Sequence, residues 1–153
     1  MKKELEQALF DKYPLLFAQH SLDMRQTCMC WGITTGDGWY NLLDNLCETI
    51  QRYITANHKP QVEFTQVKEK FGTLRIYTDG SDDLVHGMIW FAEHLSGTIC
   101  DVCGKPGECN TNGWIACRCK KHKDSAWNTG KYKVRRFMKQ FWDSLIEGYE
   151  PTK

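Results

Sequence analysis

Residues 99–122 read I-C-D-V-C-G-K-P-G-E-C-N-T-N-G-W-I-A-C-R-C-K-K-H, and they hold five of the chain's eight cysteines and one of its five histidines. Two residues separate Cys100 from Cys103, and Gly104 follows. This spacing is typical of one half of a zinc knuckle, because it lets backbone N–H groups turn back towards the sulfurs and glycine takes the conformation that the turn needs. The stretch therefore predicts a metal site.

The second half of the site is expected a short loop further on. Cys119 and His122 are again separated by two residues, and fifteen residues lie between Cys103 and Cys119. Three thiolates and one imidazole complete the tetrahedral coordination of Zn²⁺ and leave no open position, which predicts a structural metal. Cys117 and Cys109 remain alternative ligands, since Cys117 would form a C-x4-H pair with His122 and Cys109 lies in the loop.

Charge is distributed unevenly along the chain, although its net value is only +1. Residues 1–117 carry ten basic and fifteen acidic side chains, whereas residues 118–139 carry nine basic side chains against Asp124 alone, a net charge of +8. Such a segment is typical of a surface that neutralises phosphates or meets an acidic partner. The side chains predicted to bind nucleic acid or a partner protein are Lys121, Lys123, Lys131, Lys133, Arg135, Arg136 and Lys139.

The sequence gives no sign of export or of membrane insertion. The first residues, M-K-K-E-L-E-Q, have no apolar region behind the lysines, and no apolar run approaches the length of a membrane span. We therefore expect a cytoplasmic protein with no membrane partner. Thiols stay reduced in that compartment, so clustered cysteines are predicted to be metal ligands rather than disulfides.

Hydrophobic periodicity predicts an α+β domain in which a small antiparallel sheet packs against helices. The longest amphipathic pattern, residues 38–56, predicts a helix capped by Asp37. Residues 62–78 predict a hairpin around Gly72, and Ser81 or Asp82 is expected to cap a helix that ends near Ser96. The predicted regions are an α+β body at 1–98, the zinc-knuckle insertion at 99–122, and a linker with an amphipathic basic helix (131–147) at 123–153.

Several strings of this chain occur in the same order in small uncharacterised proteins of bacteriophages and prophages, which the chain resembles over roughly residues 36–122. The resemblance implies a phage origin and supports the ligand set of three cysteines and one histidine, but it implies no activity. Cys109 and Cys117 depart from the pattern and keep the choice of ligands open. The shared strings are G-D-G-W at Gly36–Trp39, V-K-E-K-F-G-T-L-R at Val67–Arg75, C-x2-C-G at Cys100–Gly104 and C-x2-H at Cys119–His122.

Three classes of function are compatible with these features. The first is a non-catalytic phage accessory protein that binds nucleic acid through its basic segment, although the same charges would also serve as a solvated or internally paired surface. The second is an inhibitor or modulator of a host protein, or a homodimer, that uses the apolar face of the last helix. The third, a metal-dependent nuclease or phosphohydrolase, needs carboxylates around an open metal, and only Asp37 and Glu69 with Lys70 offer such a set.

Overall fold

The structure is a computed structural model that describes residues 1–110 and 114–123, and the predicted α+β class is confirmed there. The predicted basic helix at 131–147 lies outside the described residues. None of the helices in the described ranges is both long and apolar enough to cross a membrane. The helices are α1 (Lys3–Lys12), α2 (Tyr40–Ala56) and α3 (Asp83–Ser96), and the strands are β1 (Ile33–Thr34), β2 (Glu63–Lys70), β3 (Thr73–Asp79), β4 (Glu108–Cys109) and β5 (Cys117–Arg118).

The larger sheet has the order β1-β2-β3 and is mixed rather than purely antiparallel. Strands β2 and β3 form the predicted antiparallel hairpin, and its two-residue turn places Phe71 and Gly72 at φ +52° and +79°. Two consecutive positive φ angles match the right-handed twist of the flanking strands. The parallel pairing of Ile33 with Val67 was not predicted, because a two-residue strand is too short to show an alternating pattern.

Side chains and loops cover the edges of this sheet. At the outer edge of β3, Ser96 Oγ accepts a hydrogen bond from the backbone N–H of Leu74 at 2.8 Å, and the Glu93 carboxylate accepts from that of Ile76 at 3.0 Å. Both acceptors belong to α3, so this helix lies along the strand edge. At the opposite edge, the backbone N–H of Ile33 in β1 donates to the Glu6 carboxylate at 2.6 Å, so a side chain of α1 covers that strand.

One hydrophobic core lies between the sheet and the helices, and its largest fully buried side chain is Trp39. Helix α2 buries one apolar stripe, as its sequence period predicts, and Cys47 is fully buried within it. Helix α3 begins as predicted, because the Asp82 side chain accepts a hydrogen bond from the backbone N–H of Val85 at 3.0 Å. All the buried residues of this core, from Leu9 to Ala92, precede the cysteine-rich stretch in the sequence.

The capping role predicted for Asp37 is wrong. A 3₁₀ turn, Asp37–Trp39, precedes α2, and no side chain caps the helix itself. Asp37 instead accepts a hydrogen bond from the backbone N–H of Lys2 at 2.7 Å, and Lys2 is the residue that precedes α1. The carboxylate thus satisfies a free N–H at the start of a different helix, and this tertiary contact cannot be detected from local sequence.

Candidate metal centre

The two half-sites converge as the sequence predicts. One ligand atom from each of Cys100, Cys103, Cys119 and His122 lies within 4.8 Å of all the others. The sulfurs of Cys103 and Cys119 are 3.7 Å apart, and His122 Nδ1 lies 3.4 Å from Cys100 Sγ and 3.3 Å from Cys119 Sγ. A tetrahedral Zn²⁺ with Zn–S near 2.3 Å and Zn–N near 2.0–2.1 Å requires separations of about 3.8 and 3.6 Å. The donor set therefore fits a metal ion of this size.

Tight turns in each half-site bring the ligands together. The N–H of Gly104 donates to Cys100 O at 2.9 Å, and the φ of Gly104 is +73°. In the other half-site, the N–H groups of His122 and Lys123 both donate to Cys119 O, at 2.9 and 3.0 Å. The C-x2-C-G and C-x2-H spacings therefore set the positions of the side chains through backbone hydrogen bonds alone.

The thiols titrate differently because their surroundings differ. Burial opposes ionisation of Cys100, but backbone hydrogen bonds to its sulfur, with that of Cys119 the largest, lower its pKa. Burial likewise opposes ionisation of Cys119, and hydrogen bonds from Cys103 and Cys100 lower its pKa. A backbone hydrogen bond at Lys105 favours the Cys103 thiolate, yet burial and the neighbouring sulfurs raise its pKa. This pattern is expected where several thiols lie close together, because a thiolate disfavours the ionisation of its neighbours. A bound cation would favour the thiolate form of all three.

A buried ion pair ties the two half-sites together. The Arg118 guanidinium lies 2.7 Å from the Asp101 carboxylate, and the two side chains are only 12% and 4% exposed. The N–H of Asp101 also donates to Cys117 O at 3.1 Å. Arg118 is therefore an internal structural cation, although the sequence places it at the start of the basic segment.

The G-D-G-W motif packs directly against the first half-site. The N–H of Gly38 donates to Asp101 O at 2.9 Å, and the indole N–H of Trp39 donates to Ile99 O at 3.1 Å. A Cβ on Gly38 would overlap the Cys100 carbonyl oxygen and lie 2.7 Å from the backbone nitrogen of Cys103. The glycine is thus required for close approach, and the motif fixes the metal centre to the start of α2.

The two alternative ligands, Cys109 and Cys117, are joined to each other. They face one another across the β4–β5 ladder and form a disulfide, so neither belongs to the converging set. The sequence interpretation left both as ligand candidates and expected no disulfide. A register that places two cysteines directly opposite brings their Cβ atoms close, and sequence spacing does not reveal that register.

Two of the side chains predicted to bind a partner lie within the described residues. Lys123 forms an exposed ion pair with Glu108 at 2.7 Å, while Lys121 is exposed to solvent. An exposed pair of this kind is weak and leaves Lys123 free to exchange partners. The remaining predicted side chains, Lys131, Lys133, Arg135, Arg136 and Lys139, lie outside the described residues.

The acidic side chains considered for an open metal site have local structural roles. Glu69 accepts a hydrogen bond from the backbone N–H of Gly72 at 2.7 Å within the hairpin turn, and Asp37 accepts from Lys2. Within residues 1–110 and 114–123, the cysteine–histidine set is the single group of three or more potential ligands that converges.

Comparison with known proteins finds no family model, curated protein or solved structure that matches this chain. Its function has to be argued from its own residues.

Proposed function

We propose that this chain is a non-catalytic nucleic-acid-binding protein in which a structural Zn²⁺, held by Cys100, Cys103, Cys119 and His122, fixes the start of a basic segment. The observation that supports it is the convergence of four ligand atoms, two of them from Cys119 and His122, within a stretch whose residues 119–139 carry a net charge of +7 beyond the internally paired Arg118. Four protein ligands fill a tetrahedral site, so the ion would contribute to folding rather than to chemistry. The likeness to phage proteins adds a phage origin and the host cytoplasm to this proposal, a compartment in which the Cys109–Cys117 disulfide would be exposed to reduction.

Zinc occupancy is the first test. Protein purified without added metal should contain one zinc per chain, measured by elemental analysis. Cys103→Ser should lose that zinc, because it removes one of the four ligands. Cys28→Ser is the matched control, since Cys28 is an exposed cysteine outside the set. Equal zinc content in both variants would contradict the ligand assignment.

Nucleic-acid binding is tested by its dependence on salt. The logarithm of the affinity for duplex DNA should fall with the logarithm of salt concentration by roughly 0.9 for each phosphate that a Lys or Arg contacts. Reversing Arg135 and Arg136 to Glu should therefore weaken binding and reduce the slope by roughly 2. The matched control reverses Arg25 and Arg52, which lie in the acidic body. Wild-type protein that binds no nucleic acid at low salt would refute the proposal.

A second candidate function, self-association, is favoured by an exposed apolar surface on α3. We name this the α3 face, and its residues are Leu84, Gly87, Trp90 and Phe91. Trp90 and Phe91 are 69% and 58% exposed, and a Cβ added to Gly87 would meet nothing within 4 Å. The protruding rings of Trp90 and Phe91 therefore lie one helical turn from the gap that Gly87 leaves on the helix surface. A two-fold axis that placed the protruding ring of one copy over the gap of the other would make this surface self-complementary.

The mass of the protein in solution tests this candidate. Light scattering coupled to size-exclusion chromatography should give a dimer for the wild type and a monomer for Phe91→Lys. Leu15→Lys is the control, since Leu15 is equally exposed but lies outside the α3 face. A monomeric wild type at high concentration would exclude self-association.

A further inference from the structure

The β2–β3 hairpin has a face that combines positive charge with aromatic rings. Leu74 and Ile76 point into the core, so the residues alternating with them lie on the opposite side of the sheet. There Lys68 pairs with Arg75, and Gln66 pairs with Tyr77. We name these four residues the hairpin face. Tyr77 is exposed, and Lys68 Nζ lies 5.0 Å from the centre of its ring.

At the tip of the hairpin, two exposed aromatic side chains border a cleft. Phe71 is 68% exposed and Trp114 is 51% exposed, and both line this cleft with Ile115. Exposed aromatic rings in a concave site are typical of binding surfaces, since leaving them in water is unfavourable. Lys70 also lines the cleft, with its Nζ 5.5 Å from the centre of the Phe71 ring.

Several contacts position the backbone segments that carry these two rings. The Asn110 side chain donates to Trp114 O at 2.9 Å and accepts from the backbone N–H of Ala116 at 2.7 Å, so the loop that carries Trp114 is fixed at both ends. A Cβ on Gly72 would lie 3.1 Å from the Ile115 side chain, so the hairpin tip packs against this loop. The loop then leads into β5 and the second metal half-site.

We infer that the hairpin face and the tip cleft together bind single-stranded nucleic acid. Tyr77, Phe71 and Trp114 supply flat rings on which unpaired bases stack, and the ammonium groups of Lys68 and Lys70, which lie over the rings of Tyr77 and Phe71, supply positive charge for the phosphates. This inference rests on the proposed nucleic-acid binding and specifies its ligand. A duplex keeps its bases stacked on each other, so the exposed rings favour single strands over duplexes.

The path along the sheet is long enough for more than one base. Tyr77 lies four residues from Thr73, the first residue of β3, which is about 13 Å at the usual strand rise. The cleft lies beyond that end. Arg75 is engaged with Glu93 at 3.7 Å and with the Leu74 carbonyl, so the two lysines are the phosphate ligands.

Fluorescence anisotropy tests the inference with labelled oligodeoxyuridylate and oligouridylate, which differ only in the 2′-hydroxyl, and with a duplex of equal length. Trp114→Ala and Tyr77→Ala should each weaken binding of single strands by about tenfold and leave duplex affinity unchanged. Lys68→Gln should weaken binding of all three and lower their salt dependence. If the two ring variants lose affinity equally for both single strands, the site recognises bases and phosphates whatever the sugar. If they lose affinity only for oligouridylate, RNA is the ligand.

The matched control is Trp31→Ala, which removes a tryptophan that is 48% exposed, close to the 51% of Trp114, and that belongs neither to the hairpin face nor to the cleft. Circular dichroism and zinc content should be unchanged in every variant, because each altered side chain is at the surface. If the wild type binds single strands and Trp114→Ala and Tyr77→Ala bind them equally well, the inference is refuted and the proposed function stands. If the wild type binds none of the three oligonucleotides, both are refuted.

Discussion

Gly38→Ala probes the contact between the start of α2 and the metal centre. The added Cβ would overlap the Cys100 carbonyl and lie 2.7 Å from the Cys103 nitrogen. Ordinary contacts are near 3.5 Å and the Cys100 carbonyl oxygen would lie at 2.1 Å, so one of the two segments must move by roughly 1.4 Å. Both neighbours are backbone atoms, which cannot rotate away. Overpacking of this kind costs about 1–3 kcal/mol.

The expected result has two parts. The free energy of unfolding of the zinc-bound protein should fall by about 2 kcal/mol. The strain is present when the first half-site is held against α2 in the zinc-bound protein and is relieved when the two separate in the zinc-free protein. Zinc should therefore bind the variant ~30-fold more weakly than the wild type. Urea unfolding and competition with a chromogenic chelator measure the two quantities. Gly87→Ala is the matched control, since its Cβ meets nothing within 4 Å, and it should stabilise α3 by about 1 kcal/mol.

The reasoning would be refuted if Gly38→Ala bound zinc and unfolded as the wild type does. Loss of stability with unchanged zinc affinity would show that the strain is confined to α2. Either outcome would remove the G-D-G-W motif from the account of the metal centre.

Three further predictions concern the same framework. Chelating the metal should expose the amides of residues 100–110 and 114–122 to hydrogen exchange while those of the β2–β3 hairpin stay protected, and complete unfolding would contradict this. Trp39→Phe should lower the free energy of unfolding by about 2 kcal/mol, measured in urea, because the Ile99 carbonyl loses its indole donor. A hydrogen bond from Lys12 lowers the pKa of Asp44, so this carboxylate stabilises the fold fully above its unfolded pKa of about 4 and loses that effect as pH falls through its lower folded value. Unfolding at about pH 7 and about pH 3 should therefore differ less for Asp44→Asn than for the wild type, and equal differences would refute this.

The sequence predicts the elements that depend on local patterns. The period of α2, the Asp82 cap and the hairpin turn at Gly72 all follow from residues within a few positions of each other, and the structure has all three. The convergence of the two cysteine half-sites was also predictable, because their spacing has a direct chemical reason.

Contacts between distant segments could not be predicted in this way. Asp37 resembles a helix cap in the sequence, yet it accepts from Lys2 at the start of another helix. Arg118 resembles part of a basic surface, yet it is buried against Asp101. Cys117 resembles a ligand, and only the register of two short strands places it opposite Cys109. In each case the local role was chemically reasonable, and tertiary geometry supplied a different partner.

The contacts along the edges of the main sheet disfavour binding of a partner strand to the described part of this protein. Ser96 and Glu93 occupy the Leu74 and Ile76 donors of β3, and Glu6 occupies the Ile33 donor of β1 at the other edge. An extended peptide, or the sheet of a second copy, would have to displace these contacts before it could pair with either edge. Recognition through surface side chains avoids this competition with the backbone hydrogen bonds. Specificity can then change by substitution of surface residues while the hydrogen-bonded framework stays the same.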